Sequence, residues 1–590
     1  MDSWYQVKLY GSGPRYRSWA PGISKVRIHV RRSRFDFPIT ADRNSKTVRS
    51  VYRIEHPSTF IFGILVSQMN IRSAICSLLV SVTVTLSALV FPVTDTYAAG
   101  DTSVEGDTIS WYRGDVEQAF EIAKKENKPL FLYWGAVWCP YCSRIKSSVF
   151  QSREFIALSE LFVPFYLDGD TEQAQTVGER FGVKGYPTMI VLNPAGEEIT
   201  RIPGGIDIDR YNSVLRNSLN SMQPTSALLA RATSEPGALG ATEYTQLAYY
   251  SWGQDSSVLE EDYDPVLFKN LSEQARSVDE IASARLFMQY LEASSEQNSE
   301  ENPVKLTGAD ARLEEILNTD QLVLACWGSL AYSPEIMDVL AVDENRSRQL
   351  KKLYQDRLMA LRHSPGLTVE EQLGGWRPLL VFHFEESEEP ISQELSSQLD
   401  ADIAKANQSV SDVYARQGLV HQMKWTYQYA NMDDKARELL LAELERTPSP
   451  YYSMSGLGSL AEDQGNNQEA LDWYRKAYEA SKGTATRLQW GASYVRALIR
   501  LSPEQGELIV STADSLIDEL PSTDDLFSGR NFRVIKRLND QMIAWQEEKG
   551  SQASTRVYLA RIESLCKAES EGSIQKQNCV SLVAEDETAG

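Results

Sequence analysis

Apolar positions change their spacing near residue 222, and that change divides the chain. Between about 107 and 222, short apolar runs alternate with helix-spaced ones. The stretch VEQAFEIAKKE at 116–126 puts Val116, Phe120 and Ala123 on one helical face. A buried strand is predicted at 129–135, a helix at 139–150, and a strand at 162–167 closed by Asp168-Gly169-Asp170. A helix follows at 172–181 and a strand at 188–192. The turn Asn193-Pro194-Ala195-Gly196 leads into a paired strand at 197–202, and a helix closes the segment at 208–222. Such alternation predicts an α/β sheet layered by helices.

From about 225 to 549 the strand signal fades and amphipathic helical runs take over. They include 258–275, 277–291, 309–317, 346–361, 392–414, 433–445 and 468–480. Residues 292–303 (EASSEQNSEENP) read as a polar, acidic loop, and the chain after 583 reads as disordered. A segment at 550–590 is expected to hold a last helix and an acidic tail. Ala436-Arg437-Glu438-Leu439-Leu440 aligns with Ala470-Leu471-Asp472-Trp473-Tyr474 at a spacing of 34 residues. Such a period is the mark of a helical-hairpin solenoid. Gly456-Leu457-Gly458 with Gly465, Ala470, Tyr474 and Ala477 resembles a tetratricopeptide repeat, expected over about 410–520. The resemblance implies a concave surface able to take protein partners. Aromatic residues there, such as Trp473, Tyr474, Tyr478, Trp490 and Tyr494, are expected to be core.

The candidate chemistry lies in Trp138-Cys139-Pro140-Tyr141-Cys142, between the strand at 129–135 and the next helix. Two cysteines at this spacing can close a small disulfide ring. At a helix start the first thiol meets the positive end of the helix dipole, which favours the thiolate, the nucleophile of disulfide exchange. The same spacing builds half of a zinc site, but zinc needs further ligands. The five histidines (His29, His56, His363, His383 and His421) all lie outside the hundred residues after the motif, and there is no second pair at that spacing.

These pieces together resemble a secreted thioredoxin-fold domain, related to the C-terminal domain of Dsb-type interchange proteins. The likeness rests on Lys128-Pro129, the Trp138–Cys142 motif, Val149-Phe150, Asp168, Gly185-Tyr186-Pro187-Thr188 and Asn193-Pro194-Ala195-Gly196. It covers a domain at 105–222. It implies Cys139 as attacking thiolate, Cys142 as resolving thiol, and Trp138 shielding the site. It further implies a cis Tyr186–Pro187 bond whose neighbourhood binds extended substrate. The Pro-Tyr pair between the cysteines resembles that of glutaredoxins, although the frame does not, and it leaves reductant and oxidant both open. One position departs from the family. Where thioredoxins carry a buried acid on the strand before the motif, this chain has Tyr133, and neither Asp115 nor Glu126 is a substitute.

Charge and a further apolar stretch bear on the address. The chain carries a net −22 over 590 residues, and the charge is uneven. Residues 1–68 hold 12 Lys and Arg against 4 Asp and Glu, leaving 47 against 77 in the remainder. That acidic remainder argues against nucleic-acid binding. Residues 69–98 read as a secretory signal: Arg72, an uncharged apolar stretch at 74–91, then cleavage after Thr96-Tyr97-Ala98. A membrane anchor is the alternative. Met69 reads as the natural start, with 1–68 a basic head that is either untranslated or a cytoplasmic arm. Either way the cysteine domain crosses the membrane, and a periplasm is the expected compartment. Six cysteines suit an oxidising address. Cys566 and Cys579 are a candidate structural disulfide, and Cys326 reads as a buried thiol.

The expected whole is an α/β thioredoxin fold followed by a mostly α-helical, tetratricopeptide-like domain at 225–549. The expected activity is thiol:disulfide exchange with protein substrates, fed by a membrane or periplasmic electron donor or acceptor. Further protein partners are expected on the helices, and no metal or organic cofactor is implied. The competing expectation is an interaction scaffold whose cysteine domain is a docking module with a static disulfide.

Overall fold

The first strand, β1 (Leu130–Gly135), is buried at every position, which suits a centre strand covered on both faces. In the computed structural model it pairs in parallel with β2 (Val163–Asp168) and antiparallel with β3 (Thr188–Leu192). β3 pairs antiparallel with β4 (Glu198–Ile202), giving the order β2-β1-β3-β4. The residues described are 108–584, apart from 137–138, 170, 172–173, 184, 203–207, 255–257, 260–262, 520–525 and 550–559. The expectations for the basic head, the signal at 69–98, Trp138 and the end of the acidic tail lie outside them.

Five helices accompany the sheet: α1 (Val116–Glu126), α2 (Pro140–Ser147), α3 (Arg153–Ser159), α4 (Ala174–Arg180) and α5 (Ile208–Ser221). Asp115 caps α1 by accepting from the N–H groups of Glu117 and Gln118, and Asn127 ends it in the left-handed conformation. The single helix expected at 139–150 is shorter. It stops at Ser147, and a 3-10 turn at Val149–Gln151 follows. The hydroxyl of Ser148 turns back to the Arg144 carbonyl at 2.6 Å, satisfying a carbonyl at the helix end. Ser152 then caps α3, which the sequence reading had not separated.

The free edge of β4 is closed by the helical region. Thr225 and Gln246 donate side-chain hydrogen bonds to the Ile199 carbonyl at 2.7 and 2.6 Å, and the Ser251 N–H reaches the Arg201 carbonyl at 3.0 Å. An edge so covered cannot template another strand. The division expected near 222–225 is therefore not a break in packing: one core runs from Val116 through Phe382.

Beyond it lie helices throughout. Among the described residues the expected run at 258–275 is helical only over Val266–Ala275; Pro265 precedes it and Asp264 accepts from the Val266 N–H. The expected helix at 392–414 is two, Gln393–Ser409 and Val413–Tyr429. Val410-Ser411-Asp412 separates them, with Val410 in an extended conformation. Tyr451–Asp463 packs on Asn467–Ala480 through Gly458: a Cβ there would lie 2.9 Å from the Tyr474 ring. Tyr451, Tyr478, Trp490 and Tyr494 are buried in a core that ends with Leu582. Among the described residues no helix is long and apolar enough to cross a membrane.

The chain then returns to the sheet domain. The Val413–Tyr429 helix packs on α2, and the Gly529–Lys549 helix packs on α4.

Candidate active site

Sheet register brings the site together. Trp134 pairs with Thr188 and Gly135 with Asp168. The end of β1, the end of β2 and the start of β3 therefore share one sheet end. From there the chain passes to Cys139, which caps α2 with Pro140 in its first turn. The Cys142 N–H donates to the Cys139 sulfur at 3.1 Å, and the two cysteines are joined in a disulfide with Cα atoms 5.2 Å apart. The Cys139 sulfur thus sits where the helix presents its unpaired N–H groups and positive dipole end. Cys139 is 3% exposed and Cys142 fully buried.

The Tyr186–Pro187 bond is cis, as the family resemblance implies. Thr188 fixes this loop by donating its hydroxyl to the Gly185 carbonyl at 2.9 Å. The Tyr186 ring packs edge-on to Trp134 at 5.8 Å and passes over Gly169, where a Cβ would overlap it. Trp134 in turn occupies the space beside Gly178 on α4 that any side chain would fill. Two glycines thus make room for the aromatic pair beneath the loop.

Tyr133, in place of the family's acid, is fully buried, and its hydroxyl has no hydrogen-bond partner among the described residues. Burial pushes its phenol well above the ordinary range, with Tyr166, Tyr211 and Asp168 adding to the effect. Lys146 of α2 lies over the same rings, 5.8 Å from Tyr133 and 4.9 Å from Tyr166. Burial holds its ammonium below the usual value, against the pull of Asp168. Lys146 donates to the Tyr166 hydroxyl at 3.4 Å. No local pattern announces this group, because its members meet only once β2 lies beside β1.

Sequence profiles and relatives agree with this geometry. The family described as "Thioredoxin-like domain" matches residues 116–219. Residues 116–219 are a thioredoxin-like domain. The domain is similar to "Thioredoxin H4" of Arabidopsis thaliana, 26% identical over 115 residues, 19% of this chain and 92% of that protein. It is also similar to "Disulfide bond reductase DsbH" of Chlamydia pneumoniae, 28% identical over 102 residues, 15% of this chain. The match spans 61% of that relative's length, under two thirds of it. Among solved structures, a thioredoxin from Thermus thermophilus is 25% identical, with 22% of this chain and 96% of that one covered at a TM-score of 0.18.

The other cysteines lie elsewhere. Cys566 and Cys579 are joined, with Cα atoms 5.5 Å apart, in the core that closes the helical region. Cys326 is a buried thiol in the first core and belongs to neither disulfide.

Around the site, contacts arrive from residues the sequence reading did not connect with it. Gly418 lies against Tyr141, its Cβ direction 3.8 Å from the ring. Arg144 pairs with Glu370 at 3.7 Å. Arg533 donates to the Val183 carbonyl at 3.1 Å, and Arg530 lies 5.4 Å over the Tyr186 ring.

Proposed function

We propose that this protein is a periplasmic thiol:disulfide oxidoreductase that exchanges disulfides with protein substrates through Cys139 and Cys142. One observation carries the reading: a Cys139–Cys142 disulfide at the N-terminus of α2, at the sheet end where the cis Tyr186–Pro187 loop begins. The names of the relatives, a thioredoxin and a disulfide bond reductase, support it.

In the reducing direction, the Cys139 thiolate attacks one sulfur of a substrate disulfide. An S–S bond forms between Cys139 and substrate, and the other substrate sulfur leaves as thiolate and takes a proton. Cys142 loses its proton and attacks Cys139; the mixed disulfide breaks, and the second substrate sulfur leaves. The substrate has then gained two electrons and two protons, and the enzyme holds the disulfide. The same steps reversed oxidise a substrate dithiol. The Cys142 N–H and the helix dipole stabilise the negative charge of the Cys139 thiolate before it attacks. Trp138, Tyr186 and Pro187 are assigned to substrate docking, and Cys566–Cys579 to stability. A membrane or periplasmic partner supplies or removes the electrons, and the signal at 69–98 carries the domain across the membrane. The helices over about 410–520 are read as tetratricopeptide-like packing, for which the glycine–aromatic contact of Gly458 and Tyr474 is support.

The test is exchange with a protein disulfide. Cys139→Ser should abolish turnover, and Cys142→Ser should accumulate a mixed disulfide at Cys139. Full activity of Cys139→Ser would exclude the assignment.

A further inference from the structure

We infer that the helical region sets the substrate class of this redox site: it admits a disulfide on an extended, unstructured segment and refuses one embedded in a folded surface. The inference rests on the redox reading above and deepens it.

Two walls flank the site, both from the same chain and far from it in sequence. On the α2 side stands the Val413–Tyr429 helix, with Gly418 against Tyr141, one of the two residues between the cysteines. The Arg144–Glu370 pair ties α2 to the Val369–Gly374 helix, which packs on the Val413–Tyr429 helix and extends this wall. On the loop side stands the Gly529–Lys549 helix. Arg533 donates to the Val183 carbonyl, Arg530 covers the Tyr186 ring, and Asn578 of the Ile574–Ala584 helix holds Glu179 of α4 at 3.1 Å. Of these, the Arg530 contact falls on Tyr186, in the loop that the redox reading assigns to substrate docking. The walls are backed by continuous cores, not by a tether.

Exchange requires an incoming sulfur to reach a disulfide sulfur directly. The site leaves little room: Cys139 is 3% exposed, and Tyr186 5%. A folded partner docks with a patch of roughly 800 Å² on each side. An extended strand needs only about 5 Å in its hydrogen-bonding direction. Walls on both sides of the site exclude the first and are compatible with the second.

The experiment compares two substrates of the full-length mature protein: a short unstructured peptide with one disulfide, and a compact folded protein with one exposed disulfide. The peptide should have kcat/KM at least about tenfold higher. Arg530→Ala with Arg533→Ala, which loosens the loop wall, should narrow that ratio by about tenfold. Glu370→Gln provides an independent variant on the α2 wall and should narrow it in the same sense. Equal rates for the two substrates in the unmodified protein, or a ratio that both folded variants leave unchanged, would overturn the inference. Turnover of neither substrate, with Cys139→Ser indistinguishable, would instead overturn the redox reading on which it rests.

Discussion

The backbone N–H of Cys142 points at the sulfur of Cys139 across 3.1 Å, and the helix that begins there has no other N-cap side chain. One cysteine is therefore the cap and the other lies within the first turn. Their chemistry should differ. In the reduced protein, iodoacetamide should modify Cys139 at least about tenfold faster than Cys142, because helix-terminal charge stabilises one thiolate. Peptide mapping after brief alkylation checks this, and equal labelling would remove the distinction between attacking and resolving thiols.

Tyr133 offers a second test. Its hydroxyl is buried without a partner among the described residues, which costs stability and gains nothing visible. Tyr133→Phe keeps the ring packing against Phe150 and Tyr166. It should raise stability by about 1 kcal/mol and leave the exchange rate within about twofold. Urea unfolding and a turnover assay read the two effects. A rate loss beyond about tenfold would show instead that the phenol handles a proton where the family has an acid.

Gly178→Ala should be costly despite its small size. The new methyl would enter the space of the Trp134 ring, and Trp134 supports Tyr186. Overpacking of this kind costs about 1–3 kcal/mol. Thermal unfolding should show that loss, and exchange should slow along with it, since the cis-proline loop rests on the same ring.

Glu292 predicts a pH effect away from the site. It accepts from Ser333 at 2.8 Å and from Gln289 at 2.6 Å, between helices of the first core. Burial pushes its carboxyl up to about 7, against the hydrogen bonds of Ser333 and Ser329. Glu296 adds to the rise, and Arg285 opposes it. A carboxyl whose folded value is raised favours folding below its unfolded value, near 4.5, and loses that contribution as pH climbs through about 7. Glu292→Gln should therefore be more stable than the unmodified protein at pH 8, by on the order of 1 kcal/mol, because the residue keeps some exposure. The advantage should vanish by about pH 5. Melting curves at the two pH values decide it; a constant difference would refute the assignment.

Local signals carried the reading of the sheet domain. The helix expected at 116–126 is α1 residue for residue, because Asp115 and Asn127 mark its ends in the sequence. The strand at 188–192 is β3, bounded by Pro187 and the Asn193 turn. Boundaries set by side-chain back-bonding were missed. Ser148 ends α2 early, and Ser152 starts α3 where one helix was expected. The break at 410–412 was also missed, since Val410-Ser411-Asp412 carries no glycine or proline. The walls beside the disulfide were not legible. Gly418, Glu370, Arg530 and Arg533 lie between about 230 and 400 residues from the cysteines in sequence, and no local pattern joins partners so distant. The Tyr133–Lys146–Tyr166 group was half visible: the missing acid could be read, its new neighbours could not.

The proposed exchange requires that Cys139 and Cys142 form a working redox couple while Cys566–Cys579 does not. The direct measurement equilibrates the purified protein in dithiothreitol and glutathione buffers of stepped potential, then counts free thiols at each cysteine by mass. Cys139 and Cys142 should titrate together as one two-electron couple, with Cys566–Cys579 oxidised through that transition. A Cys139–Cys142 bond that equilibrates with neither buffer would contradict the account and leave the domain a docking module with a static disulfide.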